Sequence, residues 1–189
     1  MAMRTFLALD LDEDIRRHMA EVAAEIRDSV SKVRGVEASQ LHVTLKFLGD
    51  VPDEQIGSVC AIVSEAAAGV APFDFDVRGV LPVPPQGRQL RMFWAGIEDA
   101  SSGMASLHGL LDAGLAGMGF KEEDRRFQPH VTLARVKFTR DAEALRRLAE
   151  PHRAEDFGRQ HAAEVVVYSS QLTPDGPVYT PLSKAPLGA

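Results

Sequence analysis

The chain carries the tetrapeptide His42-Val43-Thr44-Leu45 and repeats it without change, 88 residues later, as His130-Val131-Thr132-Leu133. Both copies lie in short apolar stretches, 41–48 and 130–138, whose pattern predicts β-strands. Side chains on a strand alternate between its two faces. Val and Leu can therefore anchor each strand in a core, which leaves His and Thr together on the other face. A repeat at nearly half the chain length predicts two similar halves. Approximate two-fold symmetry between them would bring the two His-Thr pairs face to face across a groove.

Two imidazoles and two hydroxyls around a groove suit phosphoester chemistry. Histidine titrates near neutral pH, so one ring can accept a proton while the other donates one. Threonine hydroxyls can donate hydrogen bonds to phosphate oxygens and stabilise the charge of the transition state. A metal site would need a third or fourth ligand, and neither copy has Asp or Glu at a suitable spacing within its strand. A single His-x-Thr is usually structural, but the duplication favours a catalytic role for His42 and His130. Because the two copies are identical, they do not say which histidine is the acid.

The rest of the chain predicts an α+β protein, a single domain over residues 1–189 that is made of two similar halves. Further strands are predicted at 5–11, 73–77, 91–97, 164–168 and 179–182, the last at a sheet edge because prolines limit its pairing. Helices are predicted from Asp12 to Gly35, after a turn at 49–53, from Ser101 and Ser102 to Gly119, and over 141–149. The proline-rich stretch 81–89 is predicted to be a loop.

Composition excludes several classes of protein. The net charge of −6 and a pI of about 5.5 argue against a protein that coats long RNA or DNA, but they allow a small positive groove. The single cysteine, Cys60, excludes an internal disulfide and a site of several thiolates. No apolar stretch approaches the roughly 20 residues of a membrane span, and the N-terminal run is too short for a signal peptide. We expect a cytoplasmic protein, and the size fits a monomer.

Several stretches beyond the repeat carry a resemblance to a known family. They are 4–9, 41–50, 91–96, 127–136, 168–170 and 176–180, which are distributed over nearly the whole chain. At these residues the sequence resembles the 2H phosphoesterase superfamily, named for two His-x-Thr-x motifs. Within it, the chain is most similar to the RNA 2′,3′-cyclic phosphodiesterases, also called the 2′-5′ RNA ligase family.

The resemblance implies a fold of two pseudo-symmetric lobes, each of antiparallel sheet plus helices, around a central groove. It implies hydrolysis of 2′,3′-cyclic phosphate, at RNA 3′ ends or on nucleotides, to a 2′-phosphate. No metal, other cofactor, membrane or obligate protein partner is expected. By motif order, His42 is similar to the family's proton donor and His130 to its proton acceptor. Thr44 and Thr132 are then expected to bind the phosphate oxygens.

The resemblance also implies that Arg135 contacts the bound nucleotide. Strand alternation alone places Arg135 on the Val131 face, away from the groove. Four weaker candidates are Lys46, which shares the His42 face, Phe47, which alternates onto the core face but could stack on a base, and Arg91 and Tyr179, which rest on resemblance alone. No role is assigned to the remaining histidines, which are His18, His108, His152 and His161.

Three alternatives stay open on the sequence alone. The same two His-Thr pairs suit a cyclic phosphodiesterase for small nucleotides, or a 2′-5′ RNA ligase, since ligation opens the cyclic phosphate by attack of a ribose hydroxyl in place of water. A protein of another class, a non-catalytic module that binds RNA ends, would retain binding without turnover. A metallohydrolase would lose its activity in the presence of a chelator.

Overall fold

The computed structural model describes residues 1–29, 33–123, 126–138, 141–174 and 176–188. The strands in this part of the chain are β1 (Ala2–Leu9), β2 (Val33–Gly35), β3 (Val43–Pro52), β4 (Phe73–Val83), β5 (Met92–Glu98), β6 (His130–Val136), β7 (Asp156–Ala162), β8 (Glu164–Thr173) and β9 (Gly176–Pro186). The α-helices are α1 (Glu13–Asp28), α2 (Asp53–Ala68), α3 (Gly103–Ala116) and α4 (Ala142–Arg146).

The strands form one antiparallel sheet in the order β7-β4-β5-β6-β3-β1-β8-β9, with β2 paired to β6. The two motif strands, β3 and β6, are neighbours at its centre, and three further strands lie on each outer side. Val43 of the first motif pairs with Val131 of the second. Because these are equivalent residues on antiparallel strands, a local two-fold axis passes between them. The predicted α+β class and the two pseudo-symmetric lobes are confirmed.

One hydrophobic cluster joins both halves of the sheet to α1, α2 and α3. The apolar stripe of α1 that the sequence predicts, Ile15, Met19, Val22 and Ile26, is at most 5% exposed. Val43 and Val131 are fully buried in the same cluster. This face of β3 and β6 therefore anchors both motif strands, because burying each Val or Leu side chain stabilises the fold by roughly 1.5–3 kcal/mol. The opposite face is left for the histidines and threonines.

Each motif strand has a β-bulge at the leucine of its motif. In the pairing of β1 with β3, Ala8 lies opposite Thr44 but Leu7 lies opposite Lys46, so Leu45 is the extra residue. In the pairing of β5 with β6, Leu133 is the extra residue, between Thr132 and Ala134. A bulge shifts the alternation of every residue that follows it in the strand. The side chains five positions after each histidine, Phe47 and Arg135, consequently return to the His-Thr face.

Several predicted boundaries are wrong. The predicted helix from Asp12 to Gly35 ends at Asp28, because residues 33–35 pair with β6 instead; Val30 of the predicted stripe lies outside the described residues. The turn predicted at 49–53 is largely strand, since Asp50 continues the ladder opposite Arg4. Likewise β4 extends to Val83, into the predicted loop.

Two other differences concern features that local sequence signals describe poorly. Strand β7 was not predicted; it pairs along β4, and its polar composition lacks the usual apolar alternation. Ser102 directly precedes α3 as predicted, and the hydroxyl of Ser101 accepts a hydrogen bond from the amide of Gly103 at 3.0 Å. The next amide, that of Met104, donates at 2.8 Å to the carboxylate of Asp99, which was not predicted. An acceptor outside the immediate N-cap position satisfies the free amides of the first turn equally well.

Candidate active site

A cleft of about 790 Å³ opens on the sheet face opposite the core, where β3 meets β6. His42, Thr44, His130 and Thr132 all line it, as the two-fold argument requires. Arg135 lines it as well, although period-two alternation placed it on the core face. The bulge at Leu133 is the reason for this difference. The other four histidines are not among the lining residues.

The two histidines are held in the same way. Nδ1 of His42 lies 2.8 Å from the carbonyl oxygen of Gln40, and Nδ1 of His130 lies 2.8 Å from that of Gln128. A carbonyl oxygen can only accept, so in each ring Nδ1 carries the proton and donates it. In the neutral ring, Nε2 then carries the lone pair. Each motif therefore orients its imidazole through the backbone two residues upstream, and it leaves Nε2 for proton transfer.

His42 is embedded in aromatic rings. Its imidazole stacks on Phe6, with ring centroids 4.8 Å apart, and meets the edge of Tyr179 at 5.3 Å. Phe6 is also in contact with Phe47 and Tyr168. Burial lowers the pKa of His42 to about 4, although the Gln40 carbonyl and the charge of Asp10 act in the opposite direction. In the substrate-free protein His42 is neutral at pH 7.

His130 has a different aromatic neighbour. Its ring lies parallel to the indole of Trp94 on β5, with centroids 3.6 Å apart and an interplanar angle of 17°. Burial lowers the pKa of His130 as well, the Gln128 carbonyl raises it, and the charge of Arg135 lowers it. Both imidazoles therefore have a low affinity for a proton until an anion enters the cleft.

The structure changes the interpretation of Phe47 and Lys46. Phe47 lines the cleft and is 63% exposed, whereas alternation assigned it to the core face. Lys46, expected on the His42 face, is only 3% exposed and forms a salt bridge with Asp112 of α3. Its ammonium also donates to the carbonyl oxygen of Lys121 at 2.9 Å. The bulge at Leu45 turns Phe47 to the cleft face, whereas Lys46 borders the cleft as predicted but has its ammonium held by Asp112 and the Lys121 carbonyl.

Charge in the cleft is mostly positive, in contrast to the whole chain. Arg4, Arg34, Arg126 and Arg135 line it, with Glu123 as a carboxylate among its lining residues. Arg91 precedes β5 and is not a lining residue. Sequence reasoning did not single out the first three arginines, because they come from separate segments that only the fold brings together. Electrostatic potential focused in such a cleft attracts an anionic substrate.

Tyr179 lines the cleft as well, so one of the two candidates that rested on resemblance alone reaches the site. Trp94 and Phe6, which the sequence did not identify as site residues, contact the two histidines directly. Only their positions could have indicated this role. Phe6 lies on β1, which pairs with the first motif strand, and Trp94 lies on β5, which pairs with the second.

Within the described ranges, no group of three or more His, Cys, Asp or Glu side chains is arranged to hold a metal ion. In the same part of the chain, no helix is both long and apolar enough to span a membrane.

The model of the 2′-5′ RNA ligase superfamily matches residues 11–171, which include both His-x-Thr motifs. The chain belongs to this superfamily. A relative from Methanothermobacter thermautotrophicus, named RNA 2′,3′-cyclic phosphodiesterase, is 36% identical over 180 residues, which are 95% of this chain and 96% of the relative. A relative of the same name from Thermotoga maritima is 31% identical over 94% of this chain and 91% of its own.

Solved structures share the fold of this chain. A crystal structure of a Thermus thermophilus protein matches with a TM-score of 0.82 and 31% identity, and covers 98% of both chains. Escherichia coli LigT, crystallised with 3′-AMP, matches with a TM-score of 0.77 over the full length of both chains. At 24% identity, the likeness to LigT supports the fold alone.

Proposed function

We propose that this protein is an RNA 2′,3′-cyclic phosphodiesterase, which opens the terminal cyclic phosphate to a 2′-phosphate by paired histidine acid–base catalysis without a metal. The observation that carries the proposal is the equivalent placement of His42 and His130 in one cleft, each with Nδ1 bound to a backbone carbonyl. Curated relatives named RNA 2′,3′-cyclic phosphodiesterase, which match over nearly the whole chain, support the choice of substrate.

His130 acts as the base. Its Nε2 takes a proton from a water molecule, whose oxygen attacks phosphorus in line with the departing O3′. The bond from phosphorus to the water oxygen forms as the bond to O3′ breaks, and the 2′-phosphate remains. Because the Nδ1 proton is already bound to the Gln128 carbonyl, the imidazolium that results is held in the same orientation.

His42 acts as the acid and donates the Nε2 proton of its imidazolium to O3′. Its lowered pKa in the empty cleft means that the proton must arrive with the substrate. The cyclic phosphate is an anion, and an opposite charge within about 4–6 Å raises the pKa of an imidazole. Substrate binding therefore charges the acid, and the Gln40 carbonyl supports the cation. The two histidines differ in burial and neighbours, which gives identical motifs different tasks.

The remaining groups hold the nucleotide. Thr44 and Thr132 lie on the same face as the histidines and donate to the non-bridging oxygens of the phosphate. Arg135, exposed in the cleft, pairs with the phosphate or stacks on the base through its planar guanidinium. Phe47 offers an exposed ring for stacking on the terminal base, and Tyr179 borders the same space.

We also propose that the protein works as a monomer and as one domain, with no obligate protein partner. Both walls of the cleft come from a single chain, and both motifs are needed to complete it. The cytoplasmic location expected from the sequence stays a prediction.

The test is an incubation of the purified protein with a short RNA that ends in a 2′,3′-cyclic phosphate, with excess chelator present. The 2′- and 3′-phosphate products are resolved chromatographically. His42→Ala and His130→Ala are compared with His161→Ala, which removes an exposed histidine that pairs with Asp74 away from the cleft. We expect chelator-resistant formation of the 2′-phosphate, a loss of at least about 100-fold in each motif variant, and no change in the control.

Each contrary result points to a particular alternative. Binding of the RNA without turnover would make the protein an end-binding module. Loss of activity in chelator would contradict metal-independent catalysis. Turnover of a cyclic mononucleotide alone would move the substrate class to small nucleotides. Formation of a 3′-phosphate would mean that O2′, and not O3′, is the leaving group.

A further inference from the structure

We propose that Trp94 is a positioning residue for catalysis, whose indole face stabilises the imidazolium that forms on His130 as it takes the proton of water. This inference rests on the proposed role of His130 as the base. Trp94 transfers no proton itself and acts only through its contact with His130. Trp94 is the only tryptophan in the chain, and its ring lines the cleft beside the second motif.

The geometry of the pair is that of a face-to-face stack. The centroids of the indole and the imidazole are 3.6 Å apart and their planes differ by 17°. The backbone sets this contact, because Trp94 pairs with Thr132 and Gly96 pairs with His130 across β5 and β6. Glycine at position 96 leaves no side chain beside the histidine. A Cβ there would also lie 2.8 Å from the carbonyl oxygen of Arg78.

The stack matters for the charge of the ring. The face of an indole is the most electron-rich of the aromatic side chains and attracts a cation, whereas its interaction with a neutral imidazole is weaker. His130 is neutral before the reaction and cationic after it accepts the proton. The interaction is thus stronger in the transition state than in the ground state, which is the requirement for faster chemistry rather than tighter binding.

The first motif lacks an equivalent contact of the same quality. Phe6 occupies the corresponding position beside His42, but its centroid is 4.8 Å away and its plane is tilted by 30°. Phenylalanine is also a weaker partner for a cation than tryptophan. Of two identical motifs, the structure thus gives the stronger cation partner to the histidine that must develop charge.

Trp94 is not explained by packing alone. Its Nε1 is buried and has no hydrogen-bond partner among the described residues. A buried indole N–H usually has a partner, and leaving it without one costs roughly 1–3 kcal/mol. A phenylalanine or leucine would avoid that cost at this position. Trp94 thus carries a cost in stability at a position where its ring face contacts His130.

The experiment compares Trp94→Leu and Trp94→Phe with the intact protein. The pKa of His130 is measured in the substrate-free protein by a heteronuclear NMR titration of the imidazole nitrogens. kcat and KM are measured on the cyclic-phosphate RNA. Phe6→Leu makes the matched change beside His42, and backbone spectra with urea unfolding show that each variant is folded.

In Trp94→Leu we expect the pKa of His130 to fall by about 0.7 and kcat to fall about fivefold, with KM nearly unchanged. Trp94→Phe should recover part of both, because it restores an aromatic face. Phe6→Leu should leave the titration of His130 unchanged. Other charged groups remain in place in all variants: Arg135, Arg34, Arg4, Arg126, Glu123 and His42.

A pKa of His130 that stays constant or rises in folded Trp94→Leu would overturn the inference, because removal of a purely steric neighbour admits water and raises that pKa. An equal fall in kcat in Trp94→Leu and Trp94→Phe would also overturn it, because the aromatic face would then have no effect. The NMR measurement needs no turnover, so its result stands apart from the test of the proposed function. Absence of hydrolysis by the intact protein would refute that function instead.

Discussion

Replacing Lys46 with methionine removes a cation that is only 3% exposed and that bridges β3 to α3. Its ammonium pairs with Asp112 and donates to the carbonyl oxygen of Lys121 at 2.9 Å. Methionine keeps most of the apolar stem, so the change isolates the charge. Removing one partner of a buried pair typically costs about 3–5 kcal/mol, because the other charge is left uncompensated.

The cost is smaller here because Asp112 is not fully enclosed. The side chain of Asp112 is 17% exposed, and it also accepts a hydrogen bond from the backbone amide of Glu123 at 3.2 Å, which does not depend on Lys46. We therefore expect Lys46→Met to reduce the free energy of unfolding by about 2–3 kcal/mol at pH 7. With a slope of about 2 kcal/mol per molar urea, the midpoint falls by about 1 M.

The pH dependence of this loss provides a second measurement. Burial raises the pKa of Asp112, but the hydrogen bonds from Lys46 and the Glu123 amide outweigh it and hold the pKa below its ordinary value. Asp112 therefore stabilises the intact protein above the unfolded pKa of about 3.9, and this contribution is lost as the pH falls through the lower folded value. Without Lys46, Asp112 binds a proton more readily. The difference between the proteins should be largest near pH 7 and shrink towards pH 4.

The assay is urea unfolding followed by circular dichroism, with Lys46→Met/Asp112→Leu as the companion variant. Apolar replacement of both partners is often neutral, so the double variant should regain most of the lost stability. A single variant within about 0.5 kcal/mol of the intact protein would refute the reasoning, since a change of that size is typical of surface positions. A double variant no more stable than the single one would refute it too.

Other predictions concern activity. The pH profile of kcat/KM reports the free protein. Because both histidine pKa values are lowered there, a protonated acid beside a neutral base becomes frequent only below pH 6.5, and an optimum above pH 7.5 would contradict this. The optimum of kcat should lie at higher pH than that of kcat/KM, because bound phosphate raises both pKa values. Arg135→Ala should lower kcat/KM by about 10- to 100-fold, with only partial recovery in Arg135→Lys, and equal activity of all three proteins would exclude a planar contact. Phe47→Ala should raise KM for RNA about tenfold, because it removes the ring on which the terminal nucleobase stacks. Since the ring is 63% exposed, the free energy of unfolding should change by less than about 0.5 kcal/mol. An unchanged KM would place the nucleobase elsewhere.

The repeated tetrapeptide was sufficient to predict the centre of the site. Its alternation defines which side chains are buried, and Val43 and Val131 are indeed fully buried at the pairing of β3 with β6. The spacing of the apolar residues in α1 was equally informative, because burial of one helix face is a local property of the sequence. Such patterns survive in the fold wherever the strand or helix is regular.

The residues beyond the motif were assigned to the wrong faces for one physical reason. Alternation assumes a regular ladder, and the extra residues Leu45 and Leu133 break it in both motif strands. Nothing in the side chain of leucine marks a bulge, because a bulge depends on the register of the partner strand. Phe47 and Arg135 therefore each lie on the face opposite to the one that the pattern predicts.

Interactions between distant segments account for what the sequence did not predict. Residues 33–35 become strand only because β6 lies beside them, and this also brings Arg34 to the cleft. The stack of Trp94 on His130 joins residues that are 36 positions apart in the chain. No local pattern encodes such contacts, whereas the register of β5 and β6 determines them at once.

The order of strands in the sheet has a consequence for how the chain is built during synthesis. The four strands β4, β5, β6 and β7 come from one continuous segment, residues 73–162, whereas the outer edge of β1 must wait for β8, which follows that segment in the chain. A nascent chain that stops before residue 164 has every strand of one half but leaves an edge of β1 unpaired. An unpaired edge of this kind is a template for association with other chains. Strands β8 and β9 therefore protect the newly made protein from aggregation as well as completing the wall of the cleft beside His42.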